Sequence, residues 1–336
     1  MNLLFDIGHP AHVHLFRNFI NYLKEKEHSV FVVSRKKDVT EILLDHYKIK
    51  HFPITTAAKT KRGMIKELLA RNKFIFDLHR KYKFDASFGT SASIGFLKFR
   101  YGVPAYNFNE DDDEVIRLYT YLAYPLADKV INPDCLKYKK WKNKRVFYPS
   151  YHELSYLHTN TFTPDINVVK SYGLEPNQYV ILRLSALKAH HDVGINGIGA
   201  DLLSRIRELI RENQIIESSE LKKEYKVKPW DMHHILAFSK FLISDSQTMT
   251  AEAAVLGIPS VRINDFVGKI SYLEELEHKY ELTFGYKPKN YEGVLDKISF
   301  FNGNAESTKK NWKLRMEKLL KEKIDFNKWM IDYFGF

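Results

Sequence analysis

The chain has 336 residues, enough for two domains of ordinary size. Its 52 Lys and Arg outnumber its 41 Asp and Glu, and the formal net charge of +11 calls for an anionic partner: nucleic acid, an anionic membrane or a phosphorylated substrate. No apolar run reaches the roughly 18–20 residues of a membrane span, no signal peptide is expected ahead of the strand-like Leu3-Leu4-Phe5, and a single cysteine, Cys135, excludes an internal disulfide, as in a cytoplasmic chain.

Residues 2–8 read as a strand ending in a turn. His9-Pro10-Ala11-His12-Val13-His14 then opens a helix through about Lys26, with Leu15, Phe16, Phe19, Ile20 and Leu23 at helical spacing. A strand (28–34), a helix (38–47) and a strand (49–54) follow. This alternation predicts a parallel sheet covered on both faces. Residues 57–83 interleave Lys59, Lys61, Arg62, Lys66, Arg71, Lys73, Arg80, Lys81 and Lys83 with apolar residues such as Ile65, Leu69 and Ile75. The segment reads as a core helix with a solvated basic face, or as an amphipathic surface for anionic lipid headgroups. A strand at 84–88 runs into the small-residue turn Gly89-Thr90-Ser91-Ala92-Ser93, a helix cap and a candidate anion or acceptor site. Glu110-Asp111-Asp112-Asp113-Glu114, after the strand begun at Gly102, reads as a solvated loop and helix start, or as the place of a general base or Mg²⁺. Strands at 128–131 and 145–148 complete this half. Residues 149–164 show neither period and read as the linker, with His152, Glu153 and Tyr156 available to a cleft.

The second half repeats the alternation: strand 179–184, polar loop 185–194, helix 201–212, strand 214–216, and a helix opened by Pro229 and Asp231. Phe241-Leu242-Ile243 is a short apolar strand broken by Ser244-Asp245-Ser246. Helix 248–256 stops at Gly257, and strand 260–263 follows Pro259. A helix at 267–280 and a basic, aromatic C-terminal region (307–333) end the chain. The expected domains are 1–150 and 165–306, joined by a linker at 151–164 and followed by helices at 307–336.

Two turns carry the chemistry. At the first, His12 is the candidate base, since an imidazole with a pKa near about 6.5 suits removal of a hydroxyl proton. A metal held by His9, His12 and His14 is not expected, because no acidic or Cys ligand accompanies them. At the second, the amides of Gln247, Thr248 and Met249 start a helix at a strand end, a place that holds phosphate. Glu252, one turn further on the face of Thr248, either accepts sugar hydroxyls or complements the helix dipole.

Asp245-Ser246-Gln247-Thr248, then Glu252-Ala253, then Leu256-Gly257-Ile258-Pro259 resembles the nucleotide-binding part of GT-B-fold glycosyltransferases and of UDP-N-acetylglucosamine 2-epimerases. Those carry Asp-Ser-Gly-Gly, Glu-Ala and Leu-Gly-x-Pro; Gln247 and Thr248 replace the glycine pair here. Gly8 to Val13 looks like the Gly-Gly-His turn of MurG-like enzymes. Pro229-Trp230-Asp231 looks like the segment that precedes the Asp-Ser turn. Along most of its length the chain resembles the uncharacterised GT-B-like group known as domain of unknown function 354.

The resemblance implies an α/β GT-B fold: two Rossmann-like doubly wound domains facing a cleft, with a C-terminal helix crossing back to the first. It implies His12 as base or acceptor-positioning group, and an acceptor side with His9, Thr90, Ser91 and Glu110. Arg183, Lys188 and His190 would neutralise a diphosphate held by Ser246, Gln247 and Thr248. The backbone near Val227 would read the base, and Glu252 would bind ribose. The expected function is transfer of a sugar from a nucleotide-diphosphate sugar, UDP-linked, to a glycan or lipid-linked acceptor in cell-envelope polysaccharide synthesis. Basic groups and helix dipoles would stabilise the leaving diphosphate, with no metal or cofactor. The expected location is cytoplasmic, with peripheral contact at the anionic inner membrane face. The alternatives are a 2-epimerase-like enzyme, against which stands Gly8-His9-Pro10-Ala11-His12 in place of the Gly-Thr-Arg-Pro-Glu turn of those enzymes, and a non-catalytic binder of sugar nucleotides or nucleic acid. No recognised RNA or DNA motif supports nucleic acid as a partner.

Overall fold

The computed structural model describes all residues except 37, 57–59, 186–195 and 220–225. The chain divides into two compact units, Met1–Tyr156 with Asp325–Phe336, and Leu157–Ile324.

The first unit contains β1 (Asn2–Ile7), α1 (Pro10–Glu25), β2 (Ser29–Lys36), α2 (Asp38–His46), β3 (His51–Thr56), α3 (Lys61–Tyr82), β4 (Ala86–Gly89), α4 (Ala92–Tyr101), β5 (Ala105–Phe108), α5 (Arg117–Ala123), β6 (Lys129–Pro133) and β7 (Arg145–Tyr148). Its seven strands are ordered β3-β2-β1-β4-β5-β6-β7, and each neighbouring pair is parallel. From β1, third in the sheet, the chain winds outward to β3. It then crosses back through α3 to place β4 on the other side of β1. Leu3, Leu4, Phe5 and Ile7 are fully buried, which is why β1 is apolar from Leu3 onward apart from Asp6. Phe5 stacks on Phe88 at 5.0 Å, and Phe16 and Phe19 of α1 close on it edge-on at 5.4 and 6.0 Å. A Cβ at Gly89 would meet the Asp6 carbonyl oxygen at 2.7 Å, so only glycine lets the end of β4 lie against β1.

The second unit contains α6 (Ile166–Ser171), β8 (Tyr179–Leu184), α7 (Ala200–Leu209), β9 (Gln214–Ser219), α8 (Met232–Ala237), β10 (Phe241–Ser244), α9 (Gln247–Val255), β11 (Ser260–Ile263), α10 (Ser271–His278), β12 (Thr283–Tyr286), α11 (Tyr291–Gly303) and α12 (Ala305–Glu322). Its five strands, again parallel, run β12-β11-β10-β8-β9. Tyr179, Ile181, Leu242, Met249 and Ala253 share one core with Val227, Ile235 and Leu236. Gly257 follows α9 at φ 72°, a conformation that ends helices and favours glycine.

The chain then returns to the first unit as α13 (Phe326–Phe334). Phe326 stacks on Tyr148 at 3.8 Å, Phe334 meets Tyr106 at 4.8 Å, and Tyr22 Oη donates to the carbonyl oxygen of Phe336 at 2.9 Å.

Three expectations are corrected. The acidic run is a loop solvated only in part, with Glu114 exposed, and it does not start a helix. Asp112 and Asp113 are buried, accepting from the amides of Lys137 (2.8 Å) and Lys139 (3.0 Å), and α5 begins only at Arg117. Arg145 also donates to Asp113 at 2.6 Å, so a cation already occupies that carboxylate. The expected linker carries a buried 3-10 turn, His152–Ser155, because the aromatic face of α13 covers it. Arg71, counted among the basic surface residues, is buried and paired with Asp6. Elsewhere on α3, Ile75 is buried while Ile65 and Leu69 stand exposed.

Candidate active site

In a doubly wound sheet, ligands gather at the carboxyl ends of the strands where the winding direction reverses. The first unit reverses between β1 and β4. His9 caps α1 there, its Nδ1 accepting the Ala11 amide at 3.2 Å, and Pro10 supplies the first helical residue, which has no N–H to satisfy. One turn in, His12 Nδ1 lies 2.7 Å from Thr90 Oγ1, and the His9 and His12 rings are 5.8 Å apart. Ser91 caps α4 by accepting the Ser93 amide at 3.1 Å, and its hydroxyl donates to the Asp6 carboxylate. Asp6, fully buried, also accepts from Arg71 Nε at 2.9 Å. Arg71 reaches on to Thr55 Oγ1 at 3.3 Å, which in turn donates to Glu67. The turn that carries Thr90 and Ser91 is therefore pinned by a buried ion pair, and Thr90 links that turn to His12 at the start of α1. His14 does not share it; its ring packs on Tyr156 at 5.3 Å and Tyr47 at 6.0 Å.

Glu110 is held by His152, whose Nδ1 lies 3.3 Å from Oε2 and whose amide donates to the same oxygen at 3.4 Å. Burial, with the charge of His12 as the second cause, pushes the His152 imidazole down to about 3. The His152 ring is nearly parallel to Phe326 (5.7 Å) and Tyr148 (6.3 Å).

The second unit reverses between β8 and β10. Ser246 caps α9, its Oγ accepting the Met249 amide at 3.4 Å, so this amide is not open to a phosphate as the sequence suggested. Ser246, Gln247 and Thr248 are half-buried at the start of the helix. Asp245 accepts the Ser185 amide at 2.6 Å, and its backbone oxygen accepts from Asn264 Nδ2 at 2.9 Å. Burial raises the Asp245 carboxyl above the usual range against the opposing pull of the Ser185 hydrogen bonds and Arg183. Arg183, at the end of β8, donates to Ser218 Oγ at 2.8 Å. Lys188 and His190 lie outside the described residues.

Val227 is buried in the core. The adjoining Lys228 amide donates to Tyr172 Oη at 3.1 Å, and that hydroxyl donates to Asp231 at 2.7 Å. Glu252 is buried, and its Oε1 lies 2.9 Å from His233 Nε2.

Asp6 and His233 were not among the residues picked from sequence, Arg71 was read only as part of a basic segment, and His152 was named as available to a cleft. Asp6 carried a readable signal as the one charged residue inside an apolar strand. Nothing local marks His233.

No curated protein sequence matches the chain. Among solved structures it is similar to a putative UDP-N-acetylglucosamine 2-epimerase from Listeria monocytogenes, with TM-score 0.67 and 12% identity over 97% of this chain and 92% of that one. It is similar to the UDP-GlcNAc 2-epimerase from Neisseria meningitidis bound to UDP-GlcNAc, at TM-score 0.60 and 13% identity over 96% and 100% of the two chains. It is also similar to the calicheamicin glycosyltransferase CalG4, at TM-score 0.59 and 10% identity over 99% and 98%. At these identities the likeness establishes the fold, which is the GT-B fold. The model of the family described as protein of unknown function (DUF354) matches residues 1–268, and the chain belongs to that family.

Proposed function

We propose that the protein is a metal-independent glycosyltransferase-like enzyme that moves a sugar from a nucleotide-diphosphate donor, UDP-linked, to a glycan or lipid-linked acceptor of the cell envelope. One observation carries the reading: a Ser246-capped helix starts at the reversal of the second sheet with Glu252 buried one turn in. The Ser246–Thr248 turn would hold the diphosphate and Glu252 the ribose, with Arg183 adding positive charge. His12, oriented by Thr90, would take the acceptor proton, with His9, Ser91 and Glu110 on the acceptor side. A neighbour of the same fold carries UDP-GlcNAc, which supports the donor class. The epimerase alternative is disfavoured because Pro10 and His12 stand where those enzymes carry Arg and Glu.

The test is thermal stabilisation by a panel of nucleotides and nucleotide sugars. At a hundredfold excess over Kd, ligand linkage adds about 2.7 kcal/mol, a rise of several degrees in Tm. A saturable rise with a UDP- or GDP-linked compound, abolished in Glu252→Ala, is the expected result. No rise with any compound discards the donor site.

The acceptor side of this proposal places the first unit on an anionic membrane. No helix among the described residues is long and apolar enough to cross one. Ile65 and Leu69 of α3 and Leu118 and Tyr121 of α5 are exposed, beside exposed Arg62, Lys66 and Arg117. Leu68 and Tyr119 pack on one shared cluster, so the two helices flank the same core. Apolar side chains amid basic ones suit a surface of acyl chains and anionic headgroups. Co-sedimentation with phosphatidylglycerol vesicles is expected, weakened by salt and lost in an Ile65→Glu/Leu69→Glu variant. Equal binding to phosphatidylcholine vesicles, or none to either, ends this part of the reading.

A further inference from the structure

We infer that His233 is a positioning residue for sugar recognition: it fixes the Glu252 carboxylate so that this accepts hydrogen bonds from the ribose diol of a bound nucleotide. The inference rests on the donor reading above and adds a residue to it.

From Met249 to Val255 every residue of α9 is buried, so Glu252 places a carboxylate where an apolar residue would pack more cheaply. Its partner is just as buried: His233 is 3% and Glu252 7% exposed, with Nε2 and Oε1 2.9 Å apart. An imidazole whose Nε2 carries the proton donates to Oε1 and so fixes the plane of the carboxylate. An ionised carboxylate has about four acceptor sites, so one such bond leaves capacity for hydroxyls.

His233 is itself held. Its ring meets Phe162 edge-on at 6.2 Å, and Phe162 also packs on His234, whose Nδ1 accepts the Asp165 amide at 3.0 Å. Tyr172 clamps the preceding turn by bonding both Lys228 and Asp231. The His233–Glu252 bond therefore joins the segment after Val227, expected beside the base, to the helix expected beside the ribose. Base and ribose are adjacent parts of one nucleoside, and this bond ties the two protein segments that would meet them into one frame.

The experiment is calorimetric titration of the full chain with UDP and GDP, each against its 2′,3′-dideoxy counterpart. Hydrogen bonds to a charged group correspond to about a 10- to 100-fold preference for the ribose form in the native protein. His233→Ala is expected to bring that ratio to near one while leaving affinity for the dideoxy compound unchanged. His233→Gln, which keeps a donor near the Nε2 position, is expected to restore part of the preference. A His233→Ala variant that keeps the ratio, or that loses affinity equally for both compounds, overturns the positioning role. Native protein that binds UDP or GDP without preference overturns the ribose contact and leaves the nucleotide site standing. Native protein that binds none of the four overturns both.

Discussion

Arg71→Met is expected to destabilise the first unit by about 3–5 kcal/mol, the usual cost of leaving one partner of a buried ion pair alone. Asp6 is fully buried and 4% of Arg71 is exposed, so water does not replace the guanidinium when it is removed. The Asp6 carboxylate would keep only the Ser91 hydroxyl, a neutral donor, among the side-chain hydrogen bonds seen here. Thr55 would lose the Arg71 hydrogen bond as well. Asp6→Asn/Arg71→Met removes both charges together and is expected to recover most of the loss, since a buried pair contributes little over a neutral replacement. Urea denaturation of the native, single and double variants measures both numbers. A single-variant loss below about 1 kcal/mol, in the range of an exposed pair, would show that the pair is not sealed from water.

The second large effect is in acid. An unfolded histidine titrates near about 6.5, whereas burial holds His152 down to about 3 even with the Glu110 carboxylate 3.3 Å from Nδ1. Between those values the unfolded chain carries a proton that the folded chain refuses, so stability is complete above pH 6.5 and falls as the pH drops towards 3. At pH 4 the loss from this one group is about 3 kcal/mol. His152→Phe keeps a flat ring parallel to Tyr148 and Phe326 and has nothing to protonate. Urea midpoints measured from pH 7 to pH 4 are expected to fall more steeply for the native protein than for this variant. Parallel curves would mean that His152 is protonated in both states.

The same residues mark what the sequence made legible. Strands such as those begun by Leu3 to Phe5 and Phe241 to Ile243 show themselves because a strand covered on both faces is apolar along most of its length. The breaks after them, at Gly8 and Ser246, locate both turns of the candidate site. Arg71 was not legible as a buried ion-pair partner, because it stands in a segment rich in Lys and Arg, although helical spacing sets it beside Leu68, Phe74 and Ile75. Its burial follows from Asp6, which lies 65 positions away in the chain. Asp112 and Asp113 look like surface acids for the same reason, since Lys137, Lys139 and Arg145 reach them only after folding. The turn at His152–Ser155 has no period to read, and its burial depends on Phe326 near the opposite end of the chain. His233 and Glu252 sit on separate short helices, and only their packing brings imidazole and carboxylate together. Apolar pattern thus reports local structure, while polar partnership across the sequence does not.

Because α13 completes the core around Tyr148 and Tyr106, the first unit is discontinuous in the gene, whereas the second is one uninterrupted segment. Synthesis runs from the N-terminus, so the unit begun first is the last to receive all of its parts. Its aromatic face stays uncovered while the ribosome makes the whole of the other unit, and a frameshift or stop codon after Ile324 would strip the earlier-made unit and spare the later one. Selection on α13 therefore acts on the unit that begins with β1.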